Sequence, residues 1–138
     1  MQVVVVGSNP SNKSPDKTAF SLQTCSGRTI REWFSDIPGV SFVNVSDEPT
    51  PGNRPLLVAE IHANLVSLRT KLECADKIVV VGNTAAYALT LIGLSSPTPI
   101  AFLQMPHPSG RNRLFNNKEF RDLQQRRLQE YIQSTNRE

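Results

Sequence analysis

Cysteine is scarce: the 138 residues contain two, Cys25 and Cys74. They are far apart and have no metal-ligand spacing, which argues against a structural zinc or iron-sulfur site and leaves a reduced, buried thiol as the expectation for each. Long apolar runs are lacking as well. No stretch approaches the roughly 20 residues needed to span a bilayer, so no membrane association is expected. Met1 leads straight into an apolar run without a basic leader or cleavage site, from which we expect a cytoplasmic protein. Repeats and low-complexity segments are absent, and a strong charge of one sign is missing too. Fifteen Lys and Arg against twelve Asp and Glu give a net charge of +3, with a pI of about 9.1, which permits an anionic partner without demanding one. Much of the positive charge is gathered in Arg111, Arg113, Lys118, Arg121, Arg126 and Arg127.

What is present fits a globular chain. With 38% hydrophobic and 20% charged residues, the expectation is one domain over residues 1–138, acting as a monomer. Val3 to Val6 form an uninterrupted β-branched run, the pattern of a central parallel strand buried on both faces. Gly7-Ser8-Asn9-Pro10-Ser11 then turns at the strand's carboxyl end, where open α/β sheets place their ligand crevice. By itself that loop reads more readily as turn punctuation. A second loop of similar character, Met105 to Arg113, also follows an apolar run.

Between these loops the pattern alternates. A helix is predicted from Ser26 or Gly27 through Ile30, Trp33 and Phe34 until Pro38-Gly39, then a strand over Val40 to Val45 and a Pro- and Gly-rich loop over Ser46 to Pro55. Leu57, Ile61, Leu65, Leu68 and Leu72 recur at three- and four-residue intervals and predict one amphipathic helix, with His62 beside the stripe. Ile78 to Val81 repeats the first strand. Gly82 turns into a helix that carries Thr84 near its start and that Gly93 ends, and a short strand over Pro99 to Met105 delivers the second loop. A basic helix from Asn117, with Phe120, Leu123, Leu128 and Tyr131, closes the domain. Alternation of this kind implies an α/β fold, a three-layer α/β/α sandwich around a small, mainly parallel sheet.

Five segments, in order, resemble the uracil-DNA glycosylase superfamily. Gly7-Ser-Asn-Pro-Ser11 looks like its first motif, a strand-end loop whose polar residue handles the attacking water. Ala19-Phe20 with Ser26-Gly27 resembles the segment whose aromatic ring stacks on an extruded base. Val43-Asn44-Val45 with Pro51-Gly-Asn-Arg-Pro55 is similar to the base-reading strand and loop of the bacterial thermostable branch, as is Ile78 to Ala86. His107-Pro-Ser-Gly-Arg-Asn112 matches the second motif. Asn9 stands where the thermostable branch has an acid and instead matches the mismatch-specific and single-strand-selective branches. That branch's four-cysteine iron-sulfur cluster has no counterpart here.

The resemblance implies a monofunctional DNA glycosylase that hydrolyses the N-glycosidic bond of uracil, or of a related deaminated or modified base, flipped out of single- or double-stranded DNA. It implies no metal and no organic cofactor. Asn9 and His107 become the candidates for chemistry. Asn9 can orient water but has no titratable group, and His107 can donate to a base that acquires negative charge as the bond lengthens. Ser8, Phe20 and Asn44 become candidates for holding the base. Asn44 offers an acceptor to N3–H and a donor to O4 of uracil, the reverse of what cytosine needs. Ser109, Arg111, Asn112, Arg113, Asn53 and Arg54 become candidates for DNA contact, with Arg111 at the loop tip as the wedge that fills the vacated stack. The plainer readings stay open here: an exposed loop histidine, a core aromatic, a strand-end asparagine, a solvated arginine. A glycosylase for another modified base and a catalytically silent DNA or nucleotide binder are the rival functions.

Overall fold

A computed structural model of the chain describes residues 1–10, 19–21, 24–97, 100–107 and 117–134, with Cys25 and Ser26 described by backbone alone. Four strands, β1 (Val3–Gly7), β2 (Val40–Asn44), β3 (Lys77–Val81) and β4 (Leu103–Met105), form a sheet in the order β2-β1-β3-β4. Every pairing is parallel, so among the described residues the sheet is wholly rather than mainly parallel. The helices are α1 (Cys25–Trp33), α2 (Val58–Ala63), α3 (Leu65–Lys71), α4 (Asn83–Leu94) and α5 (Lys118–Gln133).

The valine runs explain the layering. Side chains alternate across a strand, so Val4 and Val6 of β1 and Ile78 and Val80 of β3 face one way and pack with Ile61, Leu68, Leu89 and Ile92 from α2, α3 and α4. Val3, Val5, Val79 and Val81 face the other way, against Ile30 and Trp33 of α1 and Leu128 of α5. This is the three-layer α/β/α arrangement. The connection from β1 to β2 runs one way along the sheet and those from β2 to β3 and β3 to β4 run the other. Crossovers of a single hand then require α1 on one face and α2, α3 and α4 on the opposite one. The reversal occurs at β1, which makes its carboxyl end the switch point where such sheets bind ligands.

Several local expectations need correction. The segment predicted as one helix from Leu57 to Leu72 is two, α2 and α3, broken at Asn64. The Asn64 side-chain amide donates to the carbonyl of Glu60 at 2.7 Å, while its own backbone N–H turns to Ile61 at 3.1 Å. The side chain has taken the acceptor that the next helical bond would use. Leu57, placed on the apolar stripe by spacing, is exposed because it precedes the first helical turn. Cys74 is exposed rather than buried, in the turn after α3 where the stripe has ended at Leu72. Leu123 of α5 is also exposed. The predicted strand over Pro99 to Met105 shrinks to Leu103–Met105, and Gly93 lies within α4, which continues to Leu94.

The core on the α4 face makes a direct stability test. Leu89 is fully buried between that helix and the sheet, so Leu89→Ala should destabilise the protein by about 2–5 kcal/mol. Urea unfolding should show this as a lower midpoint at an unchanged slope.

Candidate functional site

The strand ends converge on one edge of the sheet. Register pairs Gly7 with Asn44, and the ladder runs on into the loops: Val45 N–H donates to the Gly7 carbonyl at 2.9 Å and Ser46 N–H to that of Ser8 at 3.0 Å. On the other side Gly82 N–H donates to the Met105 carbonyl at 2.9 Å, which leads the chain to His107 beside Gly82. Gly82 has φ +87°, and a Cβ built there would lie 3.6 Å from the His107 Cβ.

Gly7 is the steric centre. A Cβ on it would stand 2.8 Å from the Phe20 Cζ and 2.9 Å from the Asn44 Oδ1. The aromatic ring and the amide therefore both approach a position where only hydrogen fits. Asn44 is 5% exposed. Its backbone carbonyl accepts from Lys71 Nζ at 3.3 Å, and Lys71 also pairs with Asp47 at 2.9 Å. Its side-chain amide has no hydrogen-bond partner among the described residues. Among the described residues no fully buried side-chain polar atom lacks a partner, so the unpaired amide atoms of Asn44 reach solvent and are open to a ligand.

Phe20 has φ +51°, a left-handed conformation that is rare for a bulky residue and tends to mark functional positions. The Arg31 guanidinium holds it, with Nε donating to the Phe20 carbonyl at 2.6 Å and Nη2 to the Ala19 carbonyl at 2.9 Å. Close packing of Gly27 against the same turn adds to this, since a Cβ there would overlap the Ser21 carbonyl. Thr24 caps α1 by accepting from Gly27 N–H at 3.0 Å and donates to the Ser21 carbonyl at 3.0 Å.

The first loop is tied to the third. Ser8 Oγ donates to Asn9 Oδ1 at 3.1 Å, and Asn9 Nδ2 donates to Thr50 Oγ1 at 3.5 Å. Thr50, itself buried, donates to the Arg54 carbonyl at 2.5 Å and so closes the turn over Pro51–Asn53. There Gly52 and Asn53 both take left-handed conformations. The Arg54 guanidinium forks onto Glu60 at 2.7 and 3.2 Å, and Glu60 also accepts from Leu57 N–H at 2.8 Å. The hydrogen bonds from Arg54 and then from Leu57 hold the Glu60 carboxyl below its ordinary pKa. Arg54, a candidate DNA contact, thus has a partner inside the chain and shapes the loop.

Of the candidate residues, Ser8, Asn9, Phe20, Asn44 and His107 all belong to this edge, and Asn53 and Arg54 reach it through Thr50. Ser109, Arg111, Asn112 and Arg113 lie outside the described residues. Thr50, Lys71 and Arg31 were not singled out by sequence. Arg31 carried a usable signal, an arginine adjoining Ile30 and three residues before Phe34 on the apolar side of α1; the other two are visible only through their partners. A separate cleft between α1 and α5, lined by Glu32, Trp33, Asp36, Asp122 and Arg126 among others, involves none of the strand-end residues.

His107 is an exposed residue as a whole, yet the protein gathered around its imidazole pushes its pKa below the ordinary 6.5 by desolvation. Accessible surface decides reach and local crowding decides titration, so the two observations are compatible. The sign follows: folding favours the neutral imidazole, and the stability it contributes is present above 6.5 and is lost as pH falls through the lower folded value. At neutral pH His107 is a neutral donor or acceptor. An NMR titration of the imidazole should give a pKa under 6.5 in the folded protein, and His107→Ala should lessen the loss of stability on acidification.

A family model for the uracil DNA glycosylase superfamily matches residues 1–130, nearly the whole chain and every strand-end loop just described. No curated protein matches the chain.

Proposed function

Because the chain belongs to the uracil DNA glycosylase superfamily, a family of glycosylases that act on DNA, we propose that it excises uracil from DNA by hydrolysis of the N-glycosidic bond. The observation that carries this reading is the convergence of the Phe20 ring and the partnerless Asn44 amide over Gly7. An aromatic face beside one donor and one acceptor is a complement to a pyrimidine edge. Stacking of a flipped base on such a ring is worth about 1–3 kcal/mol. The Asn44 carbonyl accepts from N3–H and its NH₂ donates to O4; cytosine presents the opposite pair and leaves both bonds unmade while the amide keeps this orientation, with Oδ1 over Gly7.

As the bond between base and sugar lengthens, positive charge grows on the sugar and negative charge on the base. His107, a neutral donor at physiological pH, serves the base. Asn9 orients the water that attacks the sugar, with Ser8 and Thr50 fixing its amide on either side. Asn9 cannot remove a proton, so as the C1′–O bond forms and the C1′–N bond breaks the water's proton passes to solvent or to the departing base anion, and the rate is lower than an aspartate in that place would allow. Ser109, Arg111, Asn112 and Arg113 supply phosphate contacts and, at Arg111, the wedge for the vacated stack. Asn53 lies on the turn that faces the same DNA.

The test is single-turnover excision from matched oligonucleotides carrying uracil, hypoxanthine, xanthine or hydroxymethyluracil, single- and double-stranded, read as alkali-labile abasic sites. Uracil should be released, and Asn44→Asp should lower that rate by about tenfold to several hundredfold, because a carboxylate faces O4 with lone pairs only. Binding without abasic sites, or a folded Asn44→Asp variant that removes uracil at the wild-type rate, would contradict the reading.

A further inference from the structure

The aromatic ring assigned to base stacking stands on a backbone that does not hold itself. Phe20 has φ +51°, a conformation that a residue with a bulky side chain leaves unless its neighbours prevent it. The local chain offers no glycine at that position to relieve it. Among the described residues, the side chain that bonds it is Arg31 of the next helix, with the close packing of Gly27 beside it. The Arg31 fork spans two successive carbonyls, Phe20 at 2.6 Å and Ala19 at 2.9 Å, a geometry that requires both oxygens to point the same way and so fixes the peptide between them. The fork is itself fixed: its carbon lies 4.4 Å from the centroid of the Phe42 ring on β2. Phe42 in turn meets Phe20 edge-on at 5.8 Å and Phe34 at 6.0 Å between ring centroids. The guanidinium thus grips the backbone of Phe20 and sits on a ring that touches the Phe20 side chain. Main chain and ring are located by one group.

We propose that Arg31 is a positioning residue for base recognition: it sets the Phe20 ring over Gly7 beside Asn44, and its loss weakens base binding through Phe20 without contact between Arg31 and the base. This rests on the stacking role given to Phe20 above. Lysine is a poor replacement, since an ammonium cannot reproduce two parallel N–H bonds while lying flat on an aromatic face. The arginine acts on the ground-state complex and the transition state alike, so its effect belongs in binding and little of it in the chemical step.

The experiment measures inhibition of uracil excision by free uracil, together with single-turnover rates at saturating enzyme, for wild type, Arg31→Met, Arg31→Lys, Phe20→Ala and Arg31→Met/Phe20→Ala. Arg31→Met keeps an apolar stem on Phe42 and removes the donors. It should raise the inhibition constant for uracil by about tenfold, the scale of a lost stacking contact, with a much smaller change in the saturated rate. Arg31→Lys should fall between it and wild type. The double variant should bind uracil no more weakly than Phe20→Ala alone, because the arginine acts only through that ring. Thermal unfolding checks that each variant is folded at the assay temperature, and Arg31→Lys carries the comparison if Arg31→Met is not. Wild-type inhibition constants in the Arg31 variants, or losses in the double variant that multiply, would overturn the assignment of Arg31 while leaving the function standing. A wild type that releases no uracil would instead overturn the excision reading, and this proposal with it.

Discussion

The site depends on the missing Cβ of Gly7. β1 must end in the middle of the sheet, at the switch point, and its last residue is paired with Asn44 across the ladder. With hydrogen as its side chain, the strand end lets the Phe20 ring and the Asn44 amide each come within 3 Å of where a Cβ would stand. A methyl group there would displace one or both. The valines that precede Gly7 are buried on both faces of the sheet, so the strand cannot shift to make room. The packed core thus holds the strand end in place.

Around that point the polar groups fall into two kinds. Some are tied inside the chain: Asn9 to Ser8 and Thr50, Arg54 to Glu60, Lys71 to Asp47 and the Asn44 carbonyl. These bonds fix the loops. The Asn44 side chain is of the other kind, largely buried and left with both a donor and an acceptor to give.

The layers were legible because valine runs at Val3–Val6 and Ile78–Val81 have only one comfortable home, a parallel strand covered on both faces. The helices of the α1 and α4 segments announced themselves through spacing and through the glycine and proline that bound them. The break at Asn64 was not legible, since the leucine spacing continues through it and the cause is a side-chain hydrogen bond formed only once the helix exists. Cys74 misled because cysteine is usually buried, whereas its place is set by the turn between α3 and β3. Within the site, the strand-end loop after β1 drew attention to Ser8 and Asn9, whereas Asn44 and His107 were singled out by the resemblance to the superfamily's motifs. The left-handed backbone of Phe20 could not be read, and although Arg31 stood out beside the apolar side of α1, its bonds to the Phe20 and Ala19 carbonyls could not, because they arise from the meeting of a loop, a helix and a strand distant in sequence.

The central claim is that a pyrimidine with a uracil-like edge is recognised by the Asn44 amide over Gly7. The side-chain NH₂ resonances of Asn44, assigned by their loss in Asn44→Asp, report on that contact directly. Titration of the labelled protein with free uracil should move them in a saturable manner, as the amide donates to O4, while cytosine at equal concentration should leave them in place. Equal shifts with both bases, or none with uracil while other resonances respond, would contradict the account.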